Sequence, residues 1–281
     1  MQSIGFIGGD LRHITLLNRF SENGYTVKIF GNPSSVYNTN NINEIYECDL
    51  IIFPMPTCKG DEIYAPFSDE KIYINNLEIP YRKTILYAGN NELFLDKINI
   101  FENRCINYMN RKDLVIKNAI PTAEGALEIL LKESPYTVFG SDILILGYGN
   151  VAKALASLLK NAGANITVSA RSATAQAEIW SSGYNFIHIS ELKKELCEFN
   201  VIFNTIPAKI MDRQLLNYVN CDSLIIDLAS KPGGIDFDAA KELGKNVIWA
   251  LSLPGKTAPI TAGNIIYETI CEIITEEGID L

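Results

Sequence analysis

The chain has 281 residues, 47% hydrophobic and 20% charged, which describes a folded globular protein with room for two domains of ordinary size. Its formal net charge of −9 and sequence pI near 4.9 argue against nucleic-acid and anionic-membrane partners, because the long-range field repels both. Six scattered cysteines (Cys48, Cys58, Cys105, Cys197, Cys221, Cys271) form no Cys-x-x-Cys pair, and with only His13 and His188 beside them they make no zinc set, so no metal is expected.

The opening "MQSIGFIGGD" has no basic segment before its glycine turn, and is read as carrying no secretory signal. No apolar run approaches the roughly 18 residues of a membrane helix. The expected compartment is the cytoplasm, with reduced thiols. Strand-like and helical runs then alternate: "SIGFIG", "LRHITLLNRFSENG", "YTVKIFG", "DLIIFP" and "KTILYAG". "GNPSSVYNTNNIN" reads as a polar loop. After "ILILGYG" the cycle repeats through "NITVSA", "NVIFNTI", "SLIIDLA" and "NVIWALS". Apolar strands alternating with helices imply parallel sheets covered on both faces, an α/β fold. Glycine turns at Gly8-Gly9 and at Gly147-x-Gly149 imply two such sheets in tandem. The boundary falls near "NAIPTAEGALEILLKESPYTVFGSD", where Pro121 suits a first helical turn and a linker helix is expected over 121–134. The last segment, "TAGNIIYETICEIITEEG", has helical apolar spacing and no strand after it, so it is expected to return to the first domain. The domains are therefore expected at 1–118, joined by a terminal helix at about 262–281, and at 119–261.

In "LGYGNVAKAL" the pattern G-x-G-x-x-A follows an apolar strand and opens a helix. Gly147 suits the tight turn and Gly149 a close backbone approach to a pyrophosphate, while Ala152 lets the helix pack tightly. The helix N-terminus that begins with Asn150 and Val151, after Tyr148 in the turn, offers free N–H groups and a positive dipole end. The next strand ends in Ala170-Arg171-Ser172, where an NAD site would carry a carboxylate for the ribose hydroxyls. Ala170 removes that acceptor, and Arg171 and Ser172 supply a cation and a hydroxyl for a 2′-phosphate, so the cofactor is read as NADP. Further strand ends face the same crevice: Asn204, Thr205, Ile206 and Pro207; Leu228, then Lys231 and Gly233; and Ser252, with Lys256 beyond it.

Neither histidine suits an acid/base role: His13 opens a helix of the first domain and His188 ends a strand on the adenine side. That counts against alcohol oxidation and favours a reaction whose product is aromatic. The segments "IGGDLRH", "IPTAEGALE", "GYGNVAK", "DLASKPGGIDF" and "LSLPGKTAPITAG" together resemble the A subunits of bacterial dipicolinate synthase. The resemblance runs from Ile7 to about the last helix, and Asp227 to Phe237 is its most characteristic part. It implies two Rossmann-like domains with parallel sheets, similar in build to D-2-hydroxyacid dehydrogenases. It further implies oxidation of a dihydrodipicolinate-type ring to pyridine-2,6-dicarboxylate in the mother cell of a spore-forming bacterium. The implied partner is a flavoprotein-like B subunit, in a homo- or hetero-oligomer. Such a small dicarboxylate needs cations in an acidic protein, and Arg12, Lys231 and Lys256 are candidates, with Thr57, Thr122, Gly233 and Ser252 beside them. Asp10 and Glu124 are candidate proton acceptors, although Asp10 also suits the cap of the helix that follows it. Two other readings stay open: an NADP-dependent 2-hydroxy- or 2-keto-acid oxidoreductase, and a non-catalytic NADP-binding subunit.

Overall fold

The computed structural model describes residues 2–99 and 102–281. It divides into two compact units, one of residues 1–118 with 258–281 and one of residues 119–257.

In unit 1, β1 (Ser3–Ile7), α1 (Leu11–Glu22), β2 (Thr26–Phe30), β3 (Asn38–Thr39), α2 (Asn43–Tyr46) and β4 (Leu50–Ile52) lead to a short antiparallel hairpin, β5 (Cys58–Lys59) and β6 (Glu62–Ile63). They are followed by β7 (Thr84–Tyr87), α3 (Glu92–Asn99) and β8 (Arg104–Asn107). Six parallel strands stand in the order β3-β2-β1-β4-β7-β8, with Phe6 opposite Ile29 and Ile52. The chain reverses direction across the sheet between β1 and β4, which is the switch point where ligands of such sheets collect. The polar loop expected at "GNPSSVYNTNNIN" contributes the edge strand β3: two residues pair with Ile29 and Phe30, too few to leave a hydrophobic pattern.

α4 (Lys112–Glu133) crosses the division between the units at 118/119. It starts nine residues before the linker helix expected over 121–134, and Pro121 lies inside it rather than at its start. A proline within a helix costs one backbone hydrogen bond, and here the helix runs on through it with buried residues before (Leu114, Ala119) and after (Ala123, Ala126, Leu130). Unit 2 continues with β9 (Asp142–Leu146), α5 (Asn150–Asn161), β10 (Asn165–Ala170), α6 (Ala173–Ser181), β11 (Asn185–His188) and β12 (Val201–Asn204). It is completed by α7 (Arg213–Leu216), β13 (Leu224–Asp227), α8 (Phe237–Glu242), β14 (Asn246–Trp249) and α9 (Leu253–Thr257). Its parallel sheet runs β11-β10-β9-β12-β13-β14, with the switch point between β9 and β12. Both faces are covered: Ile143, Ile145, Val168 and Phe203 pack beneath α5, while Leu144, Ile202 and Ile225 pack with Leu216 and Ala239 on the other side. This two-sided burial is why these strands read as continuous apolar runs.

The last helix, α10 (Pro259–Glu276), begins three residues before the expected position and ends five before it. Pro259 supplies its start, since a ring-locked φ suits the first turn. In unit 1, Ile265, Ile266, Ile270 and Ile273 join Leu16, Leu17 and Phe20 of α1 in one core. Gly263 permits this approach: a Cβ there would lie 2.6 Å from the Arg12 carbonyl oxygen. Among the described residues, no helix is long and apolar enough to cross a membrane.

Candidate functional site

The loop between β9 and α5 is shaped as a dinucleotide cradle. Gly147 has φ +95°, and a Cβ there would stand 2.5 Å from Thr205 Oγ1, so both the turn and the close approach demand glycine. The Thr205 hydroxyl donates to the Leu146 carbonyl at 2.8 Å, fastening the end of β12 to the end of β9. Gly149 is the N-cap of α5 with an ordinary φ of −83°, and no side chain caps this helix. A Cβ at Gly149 would meet nothing within 4 Å. Glycine here therefore leaves an open space in front of unpaired N–H groups, with Asn150 exposed and Val151 half-buried at the first turn. A pyrophosphate fits that space and that dipole. Tyr148 is turned sideways: its hydroxyl meets Ser182 Oγ at 3.1 Å and Lys153 stands 5.0 Å over its ring.

At the end of β10, Ala170 is buried while Arg171 and Ser172 are exposed. Ser172 also caps α6, its Oγ accepting from Ala175 N–H at 3.1 Å. No carboxylate stands at this strand end, so nothing here repels an added phosphate.

The loops after β12 and β13 are joined by a buried node. Asn204 Nδ2 donates to Asp227 Oδ1 at 2.7 Å and to the Ile206 carbonyl at 3.0 Å, while Asn204 Oδ1 accepts from Ile206 N–H. Asp227 also accepts from Ala229 N–H at 3.0 Å and Gly234 N–H at 2.8 Å. The Asn204 side chain, expected to face the cofactor crevice, is fully buried and spent on this node, so it shapes the loop instead. Ile206 and Leu228 are half-buried and Pro207 exposed on the same loops. Gly233, with φ +84°, closes the turn that leaves Lys231 exposed at the loop tip. Ser252, half-buried after β14, takes φ +60°, a left-handed conformation that costs a non-glycine residue energy and clusters at functional sites. Lys256 is exposed on α9. Thr122 is half-buried on α4, and Glu124 is exposed there beside Ser157, Leu158 and Asn161 on the last turns of α5, the end opposite the phosphate cradle. The carboxylate of Glu124 is therefore not placed at the reacting end of unit 2.

In unit 1 the residues expected at the first glycine loop form a closed cluster at the β1/β4 switch point. Asp10 caps α1 and accepts from Arg12 Nε at 3.0 Å and Arg12 Nη2 at 2.8 Å. Arg12 also donates to the Met55 carbonyl and is only 3% exposed, so the cation expected to face substrate is engaged inside the protein. His13, absent from the expected site, is buried in the same cluster. Met55 N–H donates to its Nε2 at 3.1 Å and Asp10 N–H donates to its Nδ1 at 3.2 Å, the reciprocal half of the capping box, with Asp10 Oδ1 3.4 Å from Nδ1. Burial holds the His13 imidazole below its ordinary value. Burial pushes the Asp10 carboxyl up, but the hydrogen bonds from His13 and Arg12 and the Arg12 charge outweigh it and hold Asp10 well below the usual carboxylate range. Thr57 is buried too, donating to the Pro54 carbonyl at 3.1 Å and accepting from Ala88 N–H at 2.7 Å. Tyr108, fully buried, donates to the Phe53 carbonyl at 2.9 Å. Arg12, His13, Thr57 and Tyr108 thus pin the segment from Phe53 to Thr57. Only the spacing of Asp10, Arg12 and His13 around one helix start hinted at this in the sequence.

Two parallel-sheet units, one with an open phosphate cradle, define a two-domain oxidoreductase with a nicotinamide-dinucleotide domain. Residues 142–231 match the family model of NADP oxidoreductases, coenzyme F420-dependent, and residues 3–109 match the N-terminal domain of the dipicolinate synthase A subunit. The chain is 31% identical to the A subunit of dipicolinate synthase from Bacillus subtilis (strain 168) over 98% of both proteins. It is similar to the crystal structure of the Bacillus halodurans A subunit of this enzyme, with TM-score 0.88 and 28% identity over 97% of each chain. It is likewise similar to the crystal structure of the Bacillus subtilis protein, with TM-score 0.86 and 30% identity over 98% of this chain and 96% of the other. The chain belongs to the family of dipicolinate synthase A subunits.

Proposed function

We propose that the chain is an NADP-dependent oxidoreductase that converts a dihydrodipicolinate-type ring to pyridine-2,6-dicarboxylate during spore formation, in the mother-cell cytoplasm, partnered by a flavoprotein-like B subunit. The observation that carries the cofactor is the pair of Gly149, open and uncapped, and Ala170-Arg171-Ser172, with no carboxylate. Family membership supports the substrate class. Bound there, a nicotinamide cofactor would supply a hydride acceptor. The α5 N–H groups would hold its pyrophosphate, Arg171 and Ser172 its 2′-phosphate, and the loop fixed by Asn204 and Asp227 would present Thr205, Ile206 and Pro207 to its nicotinamide end. Lys231, exposed at the loop tip, attracts a substrate carboxylate. Ring aromatisation would drive loss of the second hydrogen as a proton to water, so no catalytic histidine is required of unit 2.

The test is spectrophotometric. Purified chain is incubated with freshly generated dihydrodipicolinate and NADP or NAD in parallel, with and without a B subunit, and pyridine-dicarboxylate absorbance is followed together with cofactor reduction. Faster turnover with NADP is expected. Ring oxidation without cofactor reduction would leave this chain a binding subunit, and turnover of simple 2-keto acids instead would favour a 2-hydroxy-acid oxidoreductase.

A further inference from the structure

The loops after β12 and β13 are both tied to one buried group of unit 2. We propose that Asp227 is a positioning residue: its single carboxylate sets the loop after β12, offered to the nicotinamide end, and the loop after β13, which carries Lys231. This rests on the cofactor and Lys231 readings above and names the residue that holds their two loops in register.

Asp227 closes β13 and Asn204 closes β12, and both are fully buried. Asp227 Oδ1 accepts from Asn204 Nδ2 at 2.7 Å and from Ala229 N–H at 3.0 Å, while Oδ2 accepts from Gly234 N–H at 2.8 Å. Each oxygen thus faces N–H donors. An acceptor-only carboxylate meets that demand, whereas an amide would turn its own NH2 toward one of them. Hydrogen bonds to an ionised acceptor are also the stronger kind. One arm runs to the loop after β12. The carboxylate decides which end of the Asn204 amide is the NH2, and that orientation lets Nδ2 reach the Ile206 carbonyl at 3.0 Å and Oδ1 accept from Ile206 N–H at 3.1 Å. The other arm runs through Gly234, whose carbonyl accepts from the N–H groups of Ile210 and Met211 at 3.0 Å each. Gly234 therefore ties the far end of the β12 loop to the β13 loop. A Cβ at Gly233 would stand 2.9 Å from Asp227 Oδ2, so the turn closes directly on the carboxylate. Ala229, at the near end of that loop, is braced from behind: its carbonyl accepts from Trp249 Nε1 at 3.0 Å, and the Trp249 ring stacks on Phe237 with centroids 4.9 Å apart. Lys231 lies between Ala229 and Gly234, two residues whose N–H groups end on the same carboxylate.

The test uses the full chain carrying Trp180→Phe, which leaves Trp249 as the one tryptophan and its emission as a reporter of the β13 loop. Two probes are titrated: NADPH, which reaches both ends of the cofactor site, and 2′,5′-ADP, which reaches only the end at α5 and Arg171. Asp227→Asn is expected to shift the Trp249 emission to the red and to weaken NADPH about tenfold, the worth of one charge-assisted hydrogen bond. Binding of 2′,5′-ADP, which also reports folding, should stay constant. Asn204→Ala cuts only the first arm, so it should weaken NADPH several-fold and leave the Trp249 emission in place. Equal losses of NADPH and 2′,5′-ADP would show general loosening and overturn the proposal. So would an Asp227→Asn chain that moves one loop without the other, or unchanged NADPH affinity in Asn204→Ala. A parent chain that binds neither probe would overturn the cofactor reading, and the positioning role with it.

Discussion

Arg12 shows how burial changes the meaning of a residue. Its position in a glycine loop suggested a substrate clamp, yet its guanidinium is paired with Asp10 and the Met55 carbonyl out of solvent. Arg12→Ala should therefore act first on stability, costing about 3–5 kcal/mol through the carboxylate left uncompensated, read as a fall in the denaturation midpoint. Lys231→Ala, at an exposed loop tip, should instead raise substrate KM with the midpoint unchanged. His13 acts through pH. Its folded value is depressed by burial, so only the unfolded chain takes up a proton as the pH falls below about 6.5. Stability is complete above that range and declines as the pH drops through it. His13→Gln should flatten the decline between pH 7 and 5 in denaturation midpoints measured across pH. Asp10, depressed in its folded state, adds its loss only at lower pH, around and below the ordinary carboxylate value. At Gly234 a Cβ would lie 2.1 Å from Asn204 Nδ2 and 2.6 Å from the Ile206 carbonyl oxygen, in a node without slack. Gly234→Ala should cost about 1–3 kcal/mol as overpacking and slow turnover, because the two loops it joins would shift.

Among the elements, α5 carries the sharpest test, because stability and binding pull apart there. Gly149 has an extended N-cap backbone that any residue adopts, and no side chain caps the helix. Gly149→Asp should hold or raise the melting temperature, since aspartate caps at least as well as glycine, while its carboxylate repels the pyrophosphate and abolishes NADP binding. The β9–α5 turn was legible in the sequence because each of its positions has a local chemical reason. The end of β10 was legible for the same reason, and Arg171→Ala should cost NADP about tenfold in affinity while leaving NAD unchanged. The start of α4 was not legible. Pro121 is a strong local stop signal, but burial of Leu114 and Ala119 before it and of Ala123, Ala126 and Leu130 after it carries the helix through from Lys112. The hairpin β5–β6 also escaped notice, because two-residue strands leave no period to count.

At the scale of the whole chain, unit 1 is discontinuous: α10 returns to pack on α1 through Ile265, Ile266, Ile270 and Ile273. Truncation after Thr257 should expose that core and unfold unit 1 while unit 2 keeps its fold, seen as rapid proteolysis confined to residues before 119. Periodicity and composition by themselves determined two parallel α/β sheets, the glycine cradle and a second strand end without a carboxylate. Those properties depend on residues near one another in the chain, whose spacing encodes strand, turn and helix. Only the tertiary structure decided which charges face solvent. Asn204, Arg12 and Thr57 turned inward because partners distant in sequence, namely Asp227, Met55 and Ala88, stand where their polar atoms must be satisfied. Burial and long-range hydrogen bonds have no period along a chain, so which side chains remain free to bind is settled by folding.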